Sequence, residues 1–285
     1  MKLIAPQFVK PYAKSNKNDA NDAEAICEAM SRPSMRFVAV KTVEQQDIQA
    51  VHRVRSGLMD QRKAKANQLR GLASEYGLVA PKELLHLRSA IPRWLENEEN
   101  GLSKRFRRLL HGLWQDLRAL DERIEELDRE IEQIARHDAV AVRLQQVRGI
   151  GPLTATALLA TVGDASQFAN GREMAASFGL TPKQNSSGGK ERLLGISKRG
   201  DAYLRTLPVH GARAVIRTAP AKTDRLSTWV MRIATRRHPN VAAVALANKT
   251  ARIAWAMLVK GTDTNLKPRK NSSRSTCRSI RTTIA

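Results

Sequence analysis

Cysteine is nearly absent. The 285-residue sequence has two, Cys27 and Cys277, one near each end. That excludes a disulfide framework and a cysteine zinc pattern, and it fits a reducing cytosol. The six histidines are scattered without an H-x-x-x-H pair. At the start, Met1-Lys2-Leu3-Ile4-Ala5-Pro6 meets proline before any apolar core forms, so no secretory signal is read there. The best long apolar run, Val241–Val259, contains Lys249 and Arg252. No bilayer span is therefore expected, and no membrane partner.

Negative charge is scarce where positive charge is dense. The formal net charge is +22 and the pI is near 10.8. From Thr181 to Ala285 there are 22 Lys/Arg and 4 Asp/Glu, so +18 of the +22 lies in the last third. Acidic residues collect instead between Asp121 and Glu132. Such a surface attracts polyanions by counterion release, and nucleic acid is the leading partner. An anionic membrane surface ranks second, but no basic amphipathic helix with a bulky apolar face stands out. The length suffices for two domains, or one large one, with a real core.

The richest stretch runs from Leu180 to Leu207. Ser186 and Ser187 precede Gly188, Gly189 and Lys190; Arg192, Lys198, Arg199 and Arg205 follow. Glycines let backbone N–H groups turn toward an anion. Cations neutralise phosphate, and a serine oxygen can attack phosphorus once a base or metal removes its proton. Spacing alone also allows a solvated loop that only binds phosphate.

In chain order, Lys2–Val9 reads as extended and interrupted by Pro6. Asp19 sits where a helix N-cap belongs, before a helix over Ala20–Met30. Asp19 and Asp22 share one face of its first turn. They suit either a shared divalent cation or plain capping. Met35–Val40 reads as a buried strand. A helical pattern runs from Val43 to about Ser74 through Ile48, Val51, Val54, Leu58 and Leu69, broken between Gly71 and Pro81. Lys82–Glu98 reads as a shorter helix or two, with Trp94 in the core. Phe106, Leu110, Leu113, Leu117, Leu120, Ile124, Leu127, Ile131 and Ile134 then alternate steps of four and three, a heptad seam. It should pair with Val43–Ser74 or with a second protomer. Val147-Arg148-Gly149-Ile150-Gly151-Pro152 followed by a helix has the form of a helix-hairpin-helix turn. Such a turn offers backbone N–H groups to a DNA phosphate, although a ligand-free interhelical turn reads the same way. Helices are expected over Ala202–Arg217, Arg225–Arg237 and Val241–Val259, with Trp229 and Trp255 as core. The Lys/Arg/Ser/Thr-rich end from Gly261 is expected to be disordered.

Five stretches resemble the transposases of the IS110 family, closest to its IS1111 branch. They are K-N-D-A-N-D-A-E-A-I (Lys17–Ile26), V-R-G-I-G-P-L-T-A (Val147–Ala155), F-G-L-T-P-K-Q-N-S-S-G-G-K (Phe178–Lys190), G-I-S-K-R-G-D-A-Y-L-R (Gly195–Arg205) and A-L-A-N-K-T-A-R-I-A-W (Ala245–Trp255). The resemblance extends over most of Lys2 to Gly261. It implies a mostly α chain. Residues 1–55 would be part of an α/β RuvC-like (RNase H-like) DEDD domain. A helical, coiled-coil region would span 56–140, and a C-terminal transposase domain with the helix-hairpin-helix 141–261. A basic tail covers 262–285. The family's final D-x-x-D matches Asp19 and Asp22 as magnesium ligands, and its catalytic serine matches Ser187 best, with Ser186 next. Arg148, Gly149, Gly151, Lys190, Arg192, Lys198, Arg199 and Arg205 become candidate nucleic-acid contacts. A structured guide RNA, a homo-oligomer and a bacterial cytoplasm with nucleoid association are also implied.

One departure bears on activity. The family's first Asp and its Glu lie upstream of the D-x-x-D, yet the residues before Asp19 include neither Asp nor Glu. The chain therefore reads as N-terminally truncated, and is expected to be catalytically weak or dead when alone. Three functions follow: a transposase or recombinase acting through serine, a catalytically inactive nucleic-acid-binding fragment of one, or a site-specific DNA invertase of the same family.

Overall fold

Two long antiparallel helices, α3 (Val43–Ser74) and α5 (Lys104–His137), lie side by side. The structure is a computed structural model that describes residues 3–14, 18–35 and 37–261. Thr42 opens α3 with a reciprocal cap. Its hydroxyl accepts from the Gln45 N–H at 3.2 Å, and the Gln45 side chain accepts from the Thr42 N–H at 3.1 Å. Two otherwise orphaned amides are thereby satisfied. Gly71 does not break this helix. The chain turns at Gly77, whose φ of 73° lets the Leu78 N–H reach the Ala73 carbonyl at 3.0 Å. The helix is continuous through residue 55, so the first two expected segments share it.

The heptad seam finds its partner within the chain. Leu110, Leu117, Ile124 and Ile131 are buried, whereas Leu113, Leu120, Leu127 and Ile134 are half-buried. Charged pairs lace the two helices together: Arg55 with Asp128, Arg62 with Asp121 at 3.2 Å, and Lys65 with Asp116 at 3.0 Å. The acidic cluster thus serves partly as glue, and the Asp121 side chain is only 14% exposed. Between them in sequence, α4 (Leu84–Glu96) buries Leu87 and Ile91 with Leu69, Leu110 and Leu117.

Ahead of α3 lie β1 (Leu3–Ile4), α1 (Pro6–Val9), a 3-10 turn (Lys10–Tyr12), α2 (Asp19–Ser31) and β2 (Phe37–Val38). β1 and β2 pair antiparallel, two residues each. The expected buried strand over Met35–Val40 shrinks to this ribbon, with Val38 43% and Val40 59% exposed. A short ribbon with little packed against it cannot bury its apolar side chains. Among the described residues the sheets are this ribbon and one hairpin, so the fold is mostly α.

The C-terminal half centres on α7 (Pro152–Val162), a helix buried on nearly every side. It touches α3, α5, α6 (Ala139–Gln145) and α9 (Ala202–Thr218). Its run Thr154-Ala155-Thr156-Ala157 is small enough to let four neighbours approach. The last helix, α11 (Pro239–Lys260), packs on α9, on α8 (Gly171–Ser177) and on α10 (Arg225–Ala234). Its buried face is rich in alanine, with Ala242, Ala243, Ala247, Ala251 and Ala254 beside Leu246, Thr250 and Met257. Trp229 and Trp255 lie at the edge of this core, half-buried, and not inside it. Among the described residues no helix is long and apolar enough to cross a membrane. The basic tail and Cys277 lie outside the described residues.

Candidate nucleic-acid interface and serine loop

The stretch Leu180–Leu207 folds around a hairpin. β3 (Pro182–Gln184) and β4 (Leu193–Ile196) pair antiparallel, Pro182 with Ile196 and Gln184 with Leu193. Ser187 bridges to Lys190, whose N–H donates to the Ser187 carbonyl at 3.1 Å. Between them Gly188 and Gly189 have φ of 57° and 76°. Two positive φ values make the tight hairpin turn whose twist matches its strands, and glycine takes both positions without strain. The glycines are thus explained by the turn itself, with or without a bound anion. The two serines differ. Ser186 Oγ accepts from the Arg192 N–H at 3.3 Å and from the Gln184 side-chain amide at 3.1 Å. Ser187 is exposed, and its hydroxyl has no hydrogen-bond partner among the described residues.

The ring of cations divides in two. Lys190 and Arg192 are exposed beside the tip, Lys198 and Arg199 at the root. At ~3.3 Å per strand residue the two ends stand roughly 20 Å apart, too far to serve one phosphate. The root is tightly built. A Cβ on Gly200 would lie 1.8 Å from the Ser177 carbonyl oxygen, and one on Gly179 2.2 Å from that of Arg199. Lys198 is the one non-glycine residue with positive φ among those described, at 54°. Its N–H donates to Gly179 at 3.2 Å and that of Ser197 to Thr181 at 2.8 Å, which holds this unfavourable backbone in place. Arg205 braces the same corner, donating to the Phe178 carbonyl at 3.3 Å.

Gly149 and Gly151 have different reasons to be glycine. Gly149, with φ of 93°, lies against α9: a Cβ on Gly211 would fall 1.9 Å from the Gly149 carbonyl oxygen. Gly151 is exposed, caps α7, and has nothing within 4 Å of its open side. Only Gly151 therefore leaves room for a ligand at the α7 N-terminus. Arg148 is already engaged, donating to Asp224 at 2.7 Å and to Ser227 Oγ at 3.1 Å. Asp224 also caps α10, and hydrogen bonds from the Ser227 side chain and backbone, then from Arg148, hold its carboxyl well below the usual range.

On α2 the cap is Asn18, not Asp19: the Asn18 side chain accepts from the Asn21 N–H at 2.7 Å. An asparagine in extended backbone one residue earlier reaches that amide, so Asp19 enters the first helical turn. Asp19 and Asp22 are both exposed there. Two carboxylates one turn apart suit a magnesium ion completed by water and substrate phosphate oxygens. Among the described residues no cluster of three or more His, Cys, Asp or Glu stands ready for a metal, so the pair fits part of a site. α2 packs on α1 and the 3-10 turn, and the hairpin strands pack on each other; neither packs substantially on the other unit.

His52 was not singled out by sequence reasoning. It is 4% exposed on α3, between Tyr203 of α9 and Thr156 of α7. Thr156 donates its hydroxyl to the Pro152 carbonyl at 2.9 Å, so it must accept from His52 Nε2–H at 3.0 Å. That leaves Nδ1 to accept from the Tyr203 hydroxyl at 2.8 Å. Burial, then Arg55, lowers the imidazole to about 4. A neutral histidine thus pins the long hairpin to the C-terminal bundle. The faint signal was its place four residues after buried Ile48.

Comparison with known proteins matches these two halves. Residues 141–227 match the model of the "Transposase IS116/IS110/IS902 family", and residues 2–77 that of a DEDD-type IS110 transposase. The chain is 52% identical over 266 residues to a probable family 20 transposase of Pseudomonas aeruginosa, covering 92% of this chain and 78% of that protein. It is 49% identical over 258 residues to the transposase for insertion sequence element IS1111A of Coxiella burnetii, covering 90% and 71%. With the transposase for IS1328 of Yersinia enterocolitica it shares 45% over 264 residues, covering 92% and 78%. On these matches, the chain belongs to the IS110 family of insertion-sequence transposases.

Proposed function

We propose that this transposase binds DNA and exchanges strands through Ser187. The observation that carries the assignment is the contrast at the hairpin tip. Ser186 Oγ is spent on Arg192 and Gln184, while the Ser187 hydroxyl is exposed and unpartnered beside a turn with no side chains. Ser187 Oγ forms a new bond to phosphorus and gives up its proton; one deoxyribose oxygen leaves and takes a proton. The exchange of one phosphate ester for another conserves the bond energy needed for rejoining. Lys190 and Arg192 neutralise the attacked phosphate, and Lys198 and Arg199 hold backbone farther along. The Gly149–Gly151 turn, read as a helix-hairpin-helix, adds a phosphate contact at the α7 N-terminus through Gly151, with Arg148 joining if it leaves Asp224. Magnesium, when bound, supplies Lewis-acid stabilisation of the charge on phosphorus. Asp19 and Asp22 would hold it. Since α2 does not pack on the hairpin, these carboxylates meet Ser187 most simply across two protomers of a homo-oligomer, with a structured guide RNA choosing the sites.

A second reading, nucleic-acid binding without chemistry by this chain alone, is favoured by one observation: among the described residues, Asp19 and Asp22 belong to no cluster of three or more metal-binding side chains. A strand-exchange assay with matching element ends, guide RNA and magnesium separates the two. Recombination lost in Ser187→Ala supports the first; tight DNA binding with no recombination supports the second. Inversion in place of insertion of the product would support the invertase.

A further inference from the structure

A groove of about 1480 Å³ opens at the root of the serine hairpin. One wall is the hairpin itself, through Pro182, Leu194 and Ile196; the other is the outer face of α11 with Trp229 of α10 and the start of α8. The seam where α8 meets α11 is tight: a Cβ on Gly171 would lie 3.0 Å from Arg252 Cα. The volume exceeds the ~300–1,000 Å³ of an ordinary small-molecule pocket. Among the described residues three cations line it, Arg172, Lys249 and Arg252, and no carboxylate does. None of the three makes an ion pair among the described residues.

Aromatic faces accompany the charge. Lys249 Nζ stands 4.4 Å from the centroid of the Trp229 ring. The Trp255 indole N–H donates to the Ala165 and Phe168 carbonyls, each at 3.2 Å, which fixes that ring at the groove wall. Cations beside tryptophans are what an unpaired strand needs: phosphates meet the charges, and exposed bases stack on the rings. Paired bases present no free face for stacking. The basic segment after Gly261 is a poor occupant, since its charge has the sign of the groove.

We propose that this groove holds a short single-stranded DNA segment and leads it to the hairpin root. The proposal rests on the reading of Ser187 as a nucleophile for DNA, because that reading brings an opened strand to the tip of the hairpin whose root forms this wall. The groove is then a positioning surface for DNA; it touches strand, not the reacting atoms.

The test is binding of the full chain to a fluorescent 12-nucleotide DNA strand, the matching duplex and the matching RNA strand, titrated over a range of salt. Arg172→Gln with Arg252→Gln, both on exposed side chains, should lower single-strand affinity and reduce the salt slope by about 1.4, ~0.7 per lost phosphate contact. Trp229→Leu should weaken it by about tenfold, the scale of one lost stack. Duplex affinity should fall less than single-strand affinity. Arg118→Gln, on the exposed face of α5, should leave all three unchanged. Circular dichroism and the unfolding midpoint show whether each variant is folded; the double-glutamine variant carries the test if Trp229→Leu is not. Unchanged single-strand binding in the folded double variant overturns the proposal. So does an equal loss on duplex, or a loss confined to RNA. Failure here leaves the strand-exchange result with Ser187→Ala untouched, and failure there leaves this binding result standing.

Discussion

Gly211→Ala puts the packing between α9 and the Gly149 turn to a direct test. In the middle of an exposed helix this substitution stabilises by about 1 kcal/mol, because alanine is the better helix former. Here the new Cβ would lie 1.9 Å from the Gly149 carbonyl oxygen and 2.9 Å from its carbon. Van der Waals contact needs about 1.5 Å more, and the obstacle is backbone that has no rotamer to change. Either α9 lifts away from the turn or the turn shifts, and both disturb the packing of Val215 against Gly149. Forced overpacking of this kind costs about 1–3 kcal/mol, or more when backbone must move. The helix-propensity gain offsets part of it, so the net loss should be about 1–2 kcal/mol. The reference is Gly112→Ala in the middle of α5, where a Cβ would meet nothing within 4 Å. That variant should gain roughly 0.5–1 kcal/mol. Urea unfolding of the two variants beside the parent gives the difference, expected near ~2 kcal/mol. A Gly211→Ala protein as stable as Gly112→Ala would refute the close approach. Because the turn leads into Gly151 and the α7 N-terminus, the same variant should also bind duplex DNA more weakly.

Two further outcomes follow from the buried polar groups. His52 has its folded value lowered to about 4 from an ordinary 6.5, so the unfolded chain takes up its proton first. Stability should be full above about pH 6.5 and fall as pH drops toward 4, by about 3 kcal/mol in all. Urea midpoints at pH 7 and 5 measure this, and His52→Gln should flatten the difference. Asp121 receives both Arg62, at 3.2 Å, and Arg88, at 2.6 Å. Asp121→Ala should destabilise by about 2 kcal/mol, since charged hydrogen bonds in a half-buried seam are lost and two guanidinium groups left unpaired; a loss below the error of chemical unfolding would contradict a stabilising role for these ion pairs.

The long elements were legible in the sequence because apolar periodicity is a local property. The α5 seam and both ends of α3 read directly from it. Of the buried face of α3, Ile48, Leu58 and Leu69 read from the periodicity; His52 and Ala66 did not. Val54 is 49% exposed, and the face turned inward is Ile48, His52, Leu58, Ala66 and Leu69. A stripe that includes histidine and alanine, flanked by arginines reaching for α5, looks polar until its partners are known. The hairpin was hidden for a related reason. Leu193 is 64% and Leu194 44% exposed, so these strands lack the alternation that marks a half-buried sheet. Glycine-rich spacing marked the stretch but not the cause of its glycines. At Gly188-Gly189 the turn demands glycine, at Gly149 a neighbouring helix does, and at Gly151 the space beside the backbone is open. Pairings such as His52 with Thr156, 104 residues apart, leave no mark in the spacing of either.

An attack of Ser187 on DNA leaves a covalent trace. The most direct measurement traps the intermediate on a nicked substrate carrying the element ends, with guide RNA and magnesium, and maps the covalent protein–DNA bond by mass spectrometry. A phosphodiester-linked nucleotide is expected on the peptide containing Asn185–Lys190, assigned to Ser187 and absent in Ser187→Ala. A bond on Ser186 or on any other residue, or an adduct that survives Ser187→Ala, would contradict it.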